Sequence, residues 1–152
     1  MRAWVAVAAV AVLLVGCAAE PVRDPSGHLT AATTADAYAI QVGDCVGELG
    51  SGAVTKIELM PCDQKHYWEA FLQATLDGTD YPGDVALATQ SEERCTQAFA
   101  DFVGVELKKS KYSFTYLSPT EQTWNGAKDR ELVCLVGLPN GGVAGSLRGI
   151  GK

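Results

Sequence analysis

Histidine is nearly missing from this chain: His28 and His66 are the only two in 152 residues. Residues 40–152 hold His66 alone, so a serine or cysteine nucleophile there has a single imidazole to draw on. Closely spaced cysteines are missing too. The gaps between Cys45, Cys62, Cys95 and Cys134 are 17, 33 and 39 positions, whereas zinc sites place ligand pairs with only ~2–4 residues between them. That excludes a zinc ribbon, and no metal or cofactor is expected. Positive charge is scarce, with 12 Lys and Arg against 18 Asp and Glu and a net charge of −6. Nucleic acid is therefore excluded as a main partner. The N-terminal apolar run, residues 3–15, stops at 13 residues, short of the ~20 that cross a bilayer. Internal repeats and low-complexity tracts are absent from 40–152.

That short run has another use. Arg2 is the only charge before Glu20, and one cation ahead of an apolar stretch is the pattern of a secretory signal. It ends in Leu14-Val15-Gly16-Cys17, which looks like a bacterial lipobox. Residues 1–16 are expected to be a lipoprotein signal peptide. Cys17 is then the lipidation site, carrying acyl chains such as palmitate. Each buried CH₂ contributes about 0.8 kcal/mol, so two or three chains hold a protein firmly. This also resolves an odd cysteine count: five minus Cys17 leaves four, enough for two disulfides in an oxidising compartment.

Residues 17–39 follow as the lipidated cysteine and a flexible tether, rich in Ala, Thr, Pro and Asp without an apolar period. His28 is expected there as a solvated residue. Residues 40–152 have one domain's length. Removing Arg2 with the signal leaves 11 basic residues against 18 acidic ones, a balance of −7.

Within the domain, "VTKIELM" alternates apolar and polar residues, as a half-buried strand does. "HYWEAFLQATL" alternates likewise, with Trp68, Ala70, Leu72, Ala74 and Leu76 on one face and Tyr67, Glu69, Gln73 and Thr75 on the other. The period then changes. Asp84–Val103 places Ala88, Cys95, Ala98, Phe99 and Phe102 at helical spacing, with Asp84 as N-cap and Gly104 as the terminating glycine. "SKYSFTYLSPT" and the apolar "ELVCLVGL" are further strands, and the glycine-rich tail is expected to close with a short strand over 143–147. The predicted fold is α+β: an antiparallel sheet with one main helix packed on a face. Cys95 falls on the helix stripe and Cys134 on the Leu132–Val136 face, while Cys45 and Cys62 flank the first hairpin. Among three pairings this favours 45–62 and 95–134, worth roughly 3 and 4 kcal/mol by loop length.

The candidate contacts are weaker signals. Cys62 near His66 has the types of a nucleophile and base, but four exported cysteines are more simply two bridges. His66 opens a strand, either bonded to backbone or as a polar contact in a surface groove. "GSLRG" has its serine in second place, where a nucleophile elbow needs the third. Arg148, between glycines, suits a carboxylate fork or a surface ion pair. Trp124 and Arg130 complete the candidate binding set. Fifteen Asp and Glu between residues 44 and 131 leave a hydrolytic carboxylate pair open.

The motifs "VGDCV" (42–46), "PCDQKHYWEAF" (61–71), "YPG" (81–83), "CTQAFADFVG" (95–104), "SPTEQTW" (118–124), "DRELVCLV" (129–136) and "GSLRG" (145–149) occur in one order. Together the series resembles the septum-formation family of actinobacterial envelope proteins. The resemblance spans about residues 41–150. It implies an extracytoplasmic domain, often membrane-tethered and associated by name with division septa. It brings no catalytic residues or substrate.

The expected protein is a non-enzymatic, lipid-anchored binding or scaffold module on the extracytoplasmic face of the cell membrane. Its expected partners are the membrane, through the lipid, and an envelope protein or cell-wall component. The alternatives are an envelope hydrolase using a carboxylate pair and a small-ligand carrier.

Overall fold

The computed structural model describes residues 20–152. The expected signal peptide, residues 1–16, and the expected lipidation site, Cys17, lie outside the described residues.

Among the described residues, six strands form one antiparallel sheet: β1 (Thr33–Asp36), β2 (Cys45–Val46), β3 (Lys56–Met60), β4 (Trp68–Thr75), β5 (Ser113–Leu117) and β6 (Glu131–Gly137). Their order is β1-β3-β2-β4-β6-β5. The sheet curls, so that Tyr38, just past β1, donates a hydrogen bond to Asp129, just before β6. Both faces are buried. On β6, Leu132, Cys134 and Val136 point to one core and Val133 and Leu135 to the other. This explains the strand's unbroken apolar run.

The first core lies under α1 (Asp84–Val103). Its buried stripe is Leu87, Ser91, Cys95, Phe99, Phe102 and Val103, the three-and-four spacing that puts side chains on one helix face. Phe71 of β4 meets Phe99 edge-on at 6.0 Å. Gly104 ends the helix in the left-handed conformation at φ 85°, returning its N–H to the Ala100 carbonyl. The start differs from expectation. Gly83 occupies the N-cap position, without a side-chain cap, and Asp84 is the first helical residue. There its charge still complements the helix dipole.

The expected alternation along β4 breaks at Phe71, where the register to β6 shifts between Ala70 and Leu72. Trp68 and Ala70 enter the second core; Phe71, Leu72 and Leu76 pack with the first. A bulge inserts one residue and so swaps faces, which straight counting by twos cannot anticipate. A short second helix, α2 (Glu121–Gly126), was also unforeseen. Thr120 and Thr123 cap each other's backbone N–H at 3.1 and 3.0 Å. The tail forms a single bridge between Val143 and His66 in place of a strand over 143–147.

Both disulfides pair as favoured, Cys45–Cys62 and Cys95–Cys134. The second ties α1 to β6.

The tether expectation needs correction from residue 20 onward. β1 pairs with β3 from Thr33↔Leu59 to Asp36↔Lys56. Leu29 and Ala35 are core residues. Arg23 grips Asp44 with two hydrogen bonds of 2.5 and 2.7 Å, and the Gln41 N–H donates to the same carboxylate. Asp44 is nearly fully buried, and its hydrogen bond holds the Arg23 guanidinium above the ordinary arginine pKa despite partial burial. His28 is exposed, as expected of a solvated residue.

Candidate functional site

Four separate stretches of chain enclose an open groove: the turn after β1 at Tyr38, the loop before β3, the start of α1, and residues 118–129 around α2. Tyr38, Val54, Asp84, Thr120, Glu121 and Asp129 are among its walls, around about 820 Å³. It continues into a recess of about 400 Å³ beside Tyr81, Leu87 and Tyr116. Val54, Asp84, Ser118, Thr120 and Glu121 border both spaces. Among the described residues, every charged residue lining them is acidic. Two carboxylates are held by tyrosines: Tyr81 donates to Asp84, and Tyr38 donates to Asp129 at 3.1 Å. The Asp84 hydrogen bond, with lesser help from burial and from Glu121, pushes the Tyr81 phenol up to about 12. Tyr38 is raised by burial and then by Asp129; Tyr116 is raised by burial and then by Glu92.

Trp124 and Arg130 stand behind the groove as its support. Trp124 is 0% exposed and donates through Nε1 to the Thr79 carbonyl at 3.2 Å. The Arg130 guanidinium stacks 3.6 Å from the tryptophan ring centre. It donates to the carbonyls of Gly78, Thr79, Trp124 and Asp129. Arginine's planar fork suits several carbonyls at once. The pair fixes the loop that presents Tyr81, whose ring meets Trp124 edge-on at 5.9 Å.

His66 and Arg148 lie elsewhere, along the C-terminal tail. His66 is 1% exposed and exchanges backbone hydrogen bonds with Val143. Its Nδ1 lies 2.8 Å from the Gln64 carbonyl, so that nitrogen carries the proton. Burial gives it no outward face. Arg148 is exposed and lies over Phe102, 4.3 Å from the ring centre.

Sequence reasoning placed Glu69 on a polar strand face, yet it is 1% exposed. Its carboxylate accepts from Ser146 Oγ at 2.6 Å and from the Leu147 N–H at 2.5 Å. It also lies beside the Cys45 and Cys62 sulfurs. Those sulfurs are bonded to each other, so they offer no thiolate to a metal or a substrate. The signal for Glu69 was the meeting of two motifs, "HYWE" and "GSLRG", far apart in the chain.

These features define a class: a disulfide-stapled α+β domain with a two-faced curled sheet, one long helix and an open acidic groove. The chain belongs to the septum formation family, whose model matches residues 22–110 and 42–148. The matched region begins where Arg23 locks the N-terminal segment to Asp44. Comparison with curated proteins and with solved structures gave no match.

Proposed function

We propose that this protein is a lipid-anchored binding or scaffold module on the extracytoplasmic face of the cell membrane, acting in septum formation. The groove carries the reading. It is open, two of its three carboxylates are positioned by tyrosines, and its supporting residues are fully engaged in holding its shape. A rigid concave surface with a few placed polar groups is what recognition requires. The lipobox and Cys17 supply the anchor. Intact mass of the membrane-extracted protein tests the anchor: acylated Cys17 is expected, and an unmodified Cys17 would defeat it. Crosslinking in living cells followed by purification tests the module: a reproducible envelope partner is expected.

One observation favours a second reading. Asp84 and Glu121 line the same groove and both act on Tyr81, so a hydrolytic carboxylate pair has a location. Cell-wall fragments turned over by the protein, and spared by D84N and by E121Q, would establish it.

A further inference from the structure

The charge of this molecule is divided along α1. The acidic groove sits at the start of the helix, where Asp84, Leu87 and Ala88 line it. Past the other end, about 30 Å away for 20 residues, basic residues gather. Lys108 and Lys109 follow directly in a helical turn, Leu107–Lys109. Lys111 is exposed next to them. Ser110 Oγ donates to the Lys152 carbonyl at 2.6 Å, which brings that residue to the same place. Arg148 lies over Phe102 in the last turn of the helix. Five of the chain's 12 basic residues thus sit at one end.

Among the described residues, the groove has no cation of its own. Its walls contain no Lys, Arg or His. Glu121 has no hydrogen-bond or ion partner among the described residues, whereas Asp36, Asp44, Asp77 and Glu106 each have a cation within 4.0 Å. At the basic end, Glu106 is the only carboxylate ion-paired to these cations among the described residues. The rim is apolar as well: Tyr38 is 59% exposed and Val85, beside Asp84, is 83% exposed. Lysine stems cover such surface while their ammonium groups reach carboxylates.

We propose that the groove's partner is a second copy of this chain, whose basic end around Lys108, Lys109, Lys111 and Arg148 docks between Asp84, Glu121 and Asp129. This rests on the binding-module reading and names the occupant of its groove. Helix length keeps the two ends of one copy apart, so the match is made only between copies. Donor and acceptor patches differ, so the contact is head-to-tail. Such contacts extend into rows when they do not close into a ring. Membrane anchoring raises local concentration, which lets individually weak exposed ion pairs act together.

Sedimentation of the full chain in neutral-detergent micelles provides the test. At low salt, association that grows with protein concentration is expected, and high salt should disperse it. E121K should weaken it about tenfold, and so should K108E/K109E. Mixing the two variants should restore a complex that stops at two copies, since one supplies the intact basic end and the other the intact groove. Circular dichroism and disulfide content should be those of the parent chain in both. A monomer at low salt up to millimolar concentration would overturn the proposal; so would association unaffected by either variant, or a mixture that stays monomeric. In each of those cases a separate envelope partner recovered by crosslinking would leave the module reading standing.

Discussion

Glu69 and Ser146 stand 77 positions apart in sequence and 2.6 Å apart in space, with the serine hydroxyl donating to a buried carboxylate. The neighbouring Leu147 N–H donates to the other oxygen. This fastens the C-terminal tail onto β4. Removing the acceptor leaves a buried N–H unpaired, whereas removing the hydroxyl loses one bond of two. Glu69→Ala should cost about 3 kcal/mol and Ser146→Ala about 1 kcal/mol. Urea unfolding with disulfides intact measures both; equal losses would contradict the arrangement.

Tyr81 should ionise late. Its pKa near 12 reflects the Asp84 hydrogen bond first. Because the folded value is raised, the contribution is complete below the ordinary tyrosine value of about 10. It fades as pH climbs from there through the folded value. Asp84→Asn should bring one phenol back toward ordinary titration. Ultraviolet absorbance after a rapid pH jump reads the phenolate before unfolding intervenes.

The two disulfides should differ in accessibility. Cys95 and Cys134 are wholly buried, while Cys62 is partly exposed next to Cys45. A mild reductant followed by alkylation should label Cys45 and Cys62 first, as read by peptide mass. Replacing each pair by alanine should cost about 3 kcal/mol for the 17-residue separation and about 4 kcal/mol for the 39-residue one.

Arg23→Ala should free the N-terminal segment. Asp44 would be left buried with the Gln41 N–H and no cation, at a cost of about 3 kcal/mol. Limited proteolysis within residues 20–39 should accelerate well before the rest of the domain is cut. Unchanged cleavage would mean that β1 alone secures the segment.

Gly137 should tolerate no side chain. A Cβ there would lie 1.9 Å from the Tyr67 carbonyl oxygen, a backbone atom. Gly137→Ala should lose about 3 kcal/mol, visible as a fall in thermal midpoint. Gly126→Ala, where a Cβ meets nothing within 4 Å, serves as the control.

Much of the fold was legible because apolar period and cysteine placement are local signals. The α1 stripe carrying Cys95 and the β6 run carrying Cys134 were enough to pair the helix with the sheet. The losses have physical reasons. The Phe71 bulge is set by how β4 meets β6, which a single strand's pattern does not encode. β1 is short and built of Thr, Ala and Asp, and its strand character comes from pairing with β3. Trp124, a candidate binding residue from sequence, is instead wholly buried, with Arg130 stacked on it from across a turn. The groove was not legible at all, since its walls come from four distant stretches and meet only through the curl of the sheet.

The Arg23–Asp44 lock also sets a length. Had residues 18–39 been free, the domain would wander on a leash of 22 residues. With the chain docked from Val22, only five residue steps separate it from Cys17, a contour of at most about 18 Å. On the proposed acylation of Cys17, this would hold the domain at the bilayer surface, less than its own width away. Under that proposal its encounters would be those of a body moving in two dimensions, and whatever meets its groove would have to come to the membrane to do so.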